Sequence, residues 1–201
     1  MHDDGYIKFS LRREEAGPPV FDTELLALNG VRTMLYDMGL VGVLPDGIGY
    51  GNVSIRRGGS FIISGSATGS RRILDGTGYS EVTAADIPGN SLVCRGTVDA
   101  SSESLSHAAL YDADPGVACV IHIHSRKLFD DMIKHGDLST PQDAAYGTPK
   151  IASALAGCVR SSGPRGAAVM RGHQDGVIAW GRTVDEAMDE IRTLCVRAGG
   201  C

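Results

Sequence analysis

The spacing of apolar residues along the chain predicts its regular elements. Over residues 21–38 apolar side chains recur at three- and four-residue intervals, and Gly39 follows, which is typical of a helix with one buried face. Residues 52–56 alternate in polarity and residues 60–64 are almost continuously apolar, so both predict strands. Short apolar runs predict further strands at residues 91–94, 117–124, 167–170 and 177–180.

Polar and glycine-rich positions separate the regular elements predicted in the rest of the chain. Helices are predicted at residues 101–111, 125–134, 149–159 and 184–197. Ser101 or Ser102 can cap the first of these and Thr183 the last, whereas residues 83–86 predict a turn or a short helix. Residues 1–20, which contain Gly17-Pro18-Pro19, predict an N-terminal arm ahead of one domain at residues 21–201.

Composition narrows the classes of function. The 201 residues are 42% hydrophobic and 21% charged, which fits one globular domain. With 19 Lys and Arg against 24 Asp and Glu, the net charge is −5, so nucleic acid and anionic membranes are not expected partners. No apolar run approaches the ~20 residues that span a bilayer. Five cysteines without CxxC spacing indicate neither a disulfide framework nor a thiolate zinc site, and we expect a cytoplasmic protein.

Three histidines carry the clearest chemical signal. Residues two apart in a strand face the same way, so His122 and His124 can coordinate one metal ion. A pair of histidines at a strand end, one buried and one solvated, is the simpler alternative. His173 lies in a glycine-flanked turn before an apolar strand and can supply a third imidazole. Three histidines with an open position are typical of a catalytic metal site.

Polar residues at helix starts and turns add candidates for catalysis and binding. Glu103 and His107 share one face of a predicted helix. Glu103 can ligate a metal ion or move a proton beside it. The simpler interpretation of His107 is a histidine buried in the core. Ser101 and Ser102 offer hydroxyls and free amides to a small anion. Gly51-Asn52 and Thr68-Gly69 can add donors, and no nucleotide P-loop is present because the Lys-Ser/Thr ending is missing.

The order of these motifs resembles a known family. The motifs are Gly51-Asn52-Val53-Ser54-Ile55-Arg56, Ser101-Ser102-Glu103 with His107, His122-Ile123-His124, and Gly172-His173 leading to Val177-Ile178-Ala179-Trp180-Gly181. Together they resemble the class II aldolase/adducin family, over residues 22–197. The family includes fuculose-phosphate and rhamnulose-phosphate aldolases, ribulose-phosphate 4-epimerase and methylthioribulose-phosphate dehydratase.

The resemblance implies a fold, an assembly and roles for residues. The fold is an α/β domain of three layers, α/β/α, around a mainly antiparallel sheet, and the assembly is a homotetramer with active sites between subunits. His122, His124 and His173 would hold a divalent ion, most simply zinc, with manganese, cobalt or iron as alternatives. Glu103 matches the catalytic acid/base. The positions that match the phosphate cradle are Asn52, Thr68, Gly69, Ser101 and Ser102.

Three segments depart from the family pattern. The phosphate loop reads Ser64-Gly65-Ser66-Ala67-Thr68-Gly69 instead of Thr-Pro-Thr/Ser-Gly. The segment 125–146 is shorter than the corresponding segment of sugar-phosphate aldolases. It omits the region that supplies a tyrosine proton donor from a neighbouring subunit. The third-histidine turn reads Gly-His-Gln-Asp-Gly, whereas apolar residues usually follow His-Gly directly.

The leading hypothesis is a metal-dependent aldolase, a lyase that cleaves a hydroxy-ketone, most simply a sugar phosphate, through a metal-stabilised enediolate. A 4-epimerase is less favoured because such enzymes use aspartate as an extra metal ligand where this chain has Glu103. A dehydratase of the same family stays open. So do a zinc hydrolase and a non-catalytic module like the adducin head domain, although that domain lacks the three histidines.

Overall fold

A central sheet organises the computed structural model, which describes residues 6–201. The strands within this range are β1 (Ser10–Glu15), β2 (Gly42–Val43), β3 (Gly49–Tyr50), β4 (Asn52–Arg57), β5 (Ser60–Ser64), β6 (Tyr79–Asp86), β7 (Ser91–Gly96), β8 (Cys119–His124), β9 (Gly166–Val169) and β10 (Gly176–Gly181). The helices are α1 (Thr23–Asp37), α2 (Ser104–Ala113), α3 (Arg126–His135), α4 (Pro149–Ser162) and α5 (Val184–Arg197). Each predicted helix is therefore present, with shifts of a few residues at its ends.

Eight of these strands form one sheet in the order β1-β7-β6-β5-β4-β8-β10-β9. Neighbours are antiparallel except β1, which runs parallel to β7. Strand β8 lies between β4 and β10, and the register sets Asn52 and Ile178 on either side of His122. The central strands thus bring two sequence-distant motifs side by side.

Two apolar layers cover the two faces of the sheet. Alternation in β8 sends Ile121 and Ile123 to the face covered by α1, α3 and α5, whereas Val120 joins the core under α2 and α4. His122 and His124 share the orientation of Val120, so they belong to the α2 side. The expected three-layer α/β/α fold with a mainly antiparallel sheet is confirmed.

Two local predictions were wrong or incomplete. Residues 83–86 are the end of strand β6, and a bulge between Val82 and Ala84 explains their irregular pattern. The N-terminal region contributes strand β1 to the sheet edge, so it is not irregular up to residue 20. Residues 1–5 of the predicted arm lie outside the described residues, and the boundary at residue 20 stays a prediction.

A disulfide joins Cys195 of α5 to Cys201, with the two Cα atoms 5.1 Å apart, where the sequence indicated no disulfide framework. Gly199 and Gly200 both have positive φ, which lets the chain fold back within six residues. Cys94, Cys119 and Cys158 are free and buried. No helix within residues 6–201 is long and apolar enough to cross a membrane.

Candidate metal and substrate site

Strand β8 ends in two histidines whose rings meet. The Nε2 atoms of His122 and His124 are 3.2 Å apart. His122 Nδ1 lies 3.1 Å from the carbonyl oxygen of Val177 and must donate to it, because a carbonyl only accepts. Burial lowers the pKa of His122 to about 4, so its ring is neutral near pH 7. A neutral ring with hydrogen on Nδ1 leaves the Nε2 lone pair available to a metal ion.

His173 reaches this pair from the turn between β9 and β10. Its ring centroid lies 5.0 Å from that of His122 and 4.7 Å from that of His124. One ring nitrogen from each of the three residues falls within 4.8 Å of the others. Ligands of one zinc ion at about 2.0–2.1 Å lie roughly 3.4 Å apart, so small ring movements bring all three into place. The Gln-Asp departure in this turn therefore leaves His173 facing the pair.

Glu103 is a buried carboxylate in contact with His173. It occupies the N-cap position of α2, but its side chain makes no capping bond, so it is free to face the histidines. Its Oε1 lies 3.3 Å from His173 Nδ1, and its Oε2 accepts a hydrogen bond of 3.2 Å from the Ser106 hydroxyl. Burial alone raises the pKa of Glu103, but the imidazoles of His173 and His122 lower it to about 2. The carboxylate is therefore ionised at neutral pH and can act as a base.

His107 lies behind the site as a core residue. It is fully buried, and its Nδ1 is 2.7 Å from the hydroxyl of Ser54, which is also 2.6 Å from the Tyr111 hydroxyl. Burial lowers the pKa of His107 to about 3, so the ring is neutral. This arrangement agrees with the simpler interpretation of His107, since a protein partner holds one ring nitrogen.

Two residues near His173 had no signal in the sequence pattern. The ring of Tyr146 packs against His173 with centroids 4.8 Å apart, and Lys8 Nζ lies 3.8 Å from the centre of the Tyr146 ring. Both contacts join residues distant in sequence, so no local spacing reports them. Tyr146 therefore supports one face of the His173 imidazole.

One cavity of about 310 Å³ contains every sequence-predicted site residue. These residues are Glu103, the three histidines His122, His124 and His173, and the polar positions Asn52, Thr68, Gly69, Ser101 and Ser102. The cavity also borders Tyr6, Tyr50 and the turn at residues 46–49 of the β2–β3 hairpin, which the sequence analysis did not anticipate. The histidines at one end of the cavity are possible metal ligands. The polar positions around them are neutral groups that can donate hydrogen bonds.

An α/β sheet domain that holds three histidines and a glutamate in one cavity is an architecture suited to metal-assisted chemistry. Residues 46–130 match the Class II Aldolase and Adducin N-terminal domain family. The matched range includes β4, Glu103 and the histidine pair of β8. This match agrees with the family that the motif order indicated.

Solved structures share this fold at low sequence identity. L-fuculose-1-phosphate aldolase from Thermus thermophilus is 22% identical with a TM-score of 0.62, covering 87% of this chain and 90% of that one. YgbL from Klebsiella pneumoniae, a putative aldolase/epimerase/decarboxylase, is 20% identical with a TM-score of 0.64, covering 89% of each. An N-terminal class II aldolase domain from Thermoplasma acidophilum is 18% identical with a TM-score of 0.60, covering 92% and 95%. No curated protein sequence matches the chain significantly.

Proposed function

We propose that the protein is a metal-dependent aldolase-type lyase that cleaves a carbon–carbon bond of a phosphorylated hydroxy-ketone. The observation that carries this proposal is the convergence of three imidazoles within 4.8 Å, beside the ionised Glu103, in one cavity. The match of residues 46–130 to the family, and the fold shared with L-fuculose-1-phosphate aldolase, support the reaction class.

The donor set fits a divalent ion. His122, His124 and His173 would hold it, and zinc suits three nitrogen ligands with one open position, with manganese, cobalt or iron as alternatives. Such an ion supplies a Lewis acid that polarises a carbonyl and stabilises negative charge. The hydrogen bond from His122 Nδ1 to Val177 orients the first ligand before any ion arrives.

Glu103 is the proposed proton shuttle. Its Oε2 is held by Ser106, while Oε1 faces His173 and the cavity. From this position the carboxylate takes or returns the proton on the carbon next to the substrate carbonyl. The proton donor to the leaving fragment stays unassigned, because the chain omits the segment that carries the tyrosine in sugar-phosphate aldolases.

The phosphate of the substrate would lie against Asn52, Thr68, Gly69, Ser101 and Ser102, which share the cavity with the histidines. Cytoplasmic location and a tetrameric assembly remain parts of the proposal. A 4-epimerase or a dehydratase would need the same ion and a similar substrate, so the products must distinguish them. A non-catalytic adducin-like module is disfavoured because all three histidines and the glutamate are together.

The metal assignment is tested by loading. We expect one divalent ion per chain in the wild type, and loss of that ion in His122→Ala and in His124→Ala, because each change removes one of three ligands. His135→Ala is the matched control, since His135 lies exposed at the end of α3. Elemental analysis of the purified proteins gives the answer, and full occupancy in both site variants would place the ion elsewhere.

The reaction is tested on the loaded enzyme with a panel of ketose phosphates. Metal-dependent release of an aldehyde supports the aldolase. An epimerised or dehydrated product would instead assign the chain to a different activity of its family. A hydroxamate chelator that mimics the hydroxy-ketone should bind only to the metal-loaded protein, and failure of both turnover and binding would overturn the proposal.

A further inference from the structure

A buried arginine lies beneath the loop that forms one wall of the cavity. Arg32 of α1 is 1% exposed. Its Nη2 donates to the carbonyl oxygen of Thr68 at 2.9 Å, and its Nη1 donates to those of Arg71 and Arg72 at 2.8 and 3.1 Å. One guanidinium therefore holds three carbonyls of residues 68–72, which we call the clamped loop.

The charge of Arg32 has no carboxylate partner within residues 6–201. Burial lowers the pKa of Arg32, yet a guanidinium stays protonated in proteins. Three carbonyl dipoles offset only part of the cost of burying such a charge. An uncompensated positive charge therefore lies directly behind a wall of the cavity.

The same hydrogen bonds fix the direction of the loop amides. The described peptides are all trans, so the N–H of Gly69 points opposite to the carbonyl of Thr68 and hence away from Arg32. In the part of the chain that the structure describes, no backbone acceptor is found for the N–H groups of Ala67, Thr68, Gly69 and Ser70. Thr68 and Gly69 are buried and line the cavity. Arg32 thus holds the Thr68 carbonyl on its own side and leaves the Gly69 amide facing the opposite side.

Two carboxylates border the same cavity and oppose this effect. Asp46 lies at the turn of the β2–β3 hairpin and is exposed, so water and salt screen its charge far more than that of a buried guanidinium. Glu103 is buried, but its oxygens contact Ser106 and His173 at the histidine end of the cavity. The guanidinium of Arg32 is the buried charge that contacts the clamped loop directly.

We propose that Arg32 is a positioning residue that makes the clamped loop an anion receptor, so that the site selects hydroxy-ketones with a phosphate tail over uncharged ones. This inference rests on the proposed function, because it assumes a substrate whose other end meets the histidines. It adds a residue from α1 that touches neither the reacting atoms nor the ion.

Two chelating ligands separate the head of the substrate from its tail. Glycolohydroxamate carries only the metal-binding head, and phosphoglycolohydroxamate adds a terminal phosphate. Calorimetric titration of the zinc-loaded wild type should show at least tenfold tighter binding of the phosphorylated ligand. Arg32→Met should weaken that ligand by about 10- to 100-fold, the effect of losing charged hydrogen bonding, and change the unphosphorylated ligand by less than about twofold.

Two further variants separate position from charge. Arg192→Met is the matched control, because its exposed guanidinium lies on α5, is not among the residues that line the cavity, and pairs with Asp189; we expect a change below about threefold. Arg32→Lys keeps the charge without the planar fork that spans three carbonyls, so it should lose most of the preference for phosphate.

The outcomes distinguish this inference from the function on which it rests. If Arg32→Met or Arg32→Lys keeps the wild-type preference, the positioning role is wrong. If Arg32→Met does not fold, the wild-type comparison still decides, since equal affinity for the two hydroxamates overturns the inference. If neither hydroxamate needs the metal for binding, the proposed function itself fails.

Discussion

The carboxylate of Glu103 is buried yet charged, which needs an explanation at the scale of single residues. Its exposed fraction is only 3%, and such burial normally favours the protonated acid. The imidazoles of His173 and His122 oppose that effect and lower its pKa to about 2. The Ser106 hydroxyl adds a hydrogen bond at 3.2 Å. Glu103 is therefore held as an ionised carboxylate beside the histidines, where it can accept a proton.

Replacing Glu103 by Gln should remove turnover without removing the ion. The amide keeps the shape and the hydrogen-bonding reach but has no basic oxygen, and general acid/base groups contribute about 10²- to 10⁴-fold. Three histidines already give the usual protein ligands of a catalytic zinc. The measurement is paired: metal content by elemental analysis, and exchange of the substrate α-proton with deuterated water.

Ser106→Ala is the control for this experiment, because it removes the hydrogen bond to Oε2 but keeps the carboxylate. We expect a smaller loss, within about tenfold. Loss of the ion in Glu103→Gln would make Glu103 a metal ligand. Retention of both the ion and proton exchange would mean that another residue is the base.

The sequence predicted the residues whose local spacing encodes their placement. His122 and His124 converge because alternation in β8 sends both to one side, and Glu103 meets them because it starts a helix on that side. Arg32 was missed because its carbonyl partners lie 36 to 40 residues away. The pattern of an amphipathic helix predicts that an arginine lies on the exposed face. Only tertiary packing shows that Arg32 is buried.

At the scale of elements, the position of His173 depends on two packed segments. The turn between β9 and β10 lies against residues 142–146, where a Cβ placed on Gly172 would lie 2.0 Å from the carbonyl oxygen of Ala144. The same segment carries Tyr146, whose ring contacts His173. Glycine at position 172 therefore permits a backbone approach that fixes the third histidine.

Gly172→Ala should disturb both stability and metal binding. The new methyl group meets backbone, which moves less easily than a side chain, so we expect a destabilisation of about 1–3 kcal/mol and weaker metal affinity. Gly157→Ala is the matched control, because it lies within α4 with nothing within 4 Å of the new Cβ. That change should stabilise by about 0.5–1 kcal/mol.

Urea unfolding of the metal-free proteins and metal titration against a competing chelator measure the two effects separately. An unchanged unfolding midpoint and metal affinity in Gly172→Ala would show that the two segments adjust without cost. In that case the contact with residues 142–146 does not determine where His173 points.

The elements that sequence reasoning missed share a physical cause. Strand β1 has mostly exposed side chains at a sheet edge, so it lacks the apolar alternation that reveals a strand. The end of β6 is interrupted by a bulge, and β2 and β3 have only two residues each. In all of these, backbone pairing rather than side-chain burial defines the strand, and the sequence pattern does not report it.

At the scale of the whole molecule, the cavity lies where the ends of several elements meet. Strands β4 and β8, the start of α2, the β9–β10 turn and the β2–β3 hairpin all contribute residues. Tyr6 borders the cavity but is 62% exposed, so this side is open to solvent in a single chain. Members of the family often form oligomers, and a neighbouring subunit would cover such an opening.

The surface of one chain also carries apolar side chains that a second chain could bury. Leu26, Met34 and Met38 are exposed and separated by multiples of four residues, so they lie along one face of α1 and its C-cap. Exposed apolar side chains that share one helix face can be buried by a second chain. They support association, although they do not fix the number of subunits.

The family resemblance implies a homotetramer, so we expect a mass four times the 21.1 kDa of one chain. Light scattering coupled to size-exclusion chromatography measures that mass, and turnover measured across a dilution series should fall as subunits separate, because each site would lack its neighbour's wall. Met34→Glu serves as the variant that should favour smaller species, and Thr193→Glu on exposed α5 surface as its control. A monomer with undiminished turnover at working concentration would show that one chain forms the complete site.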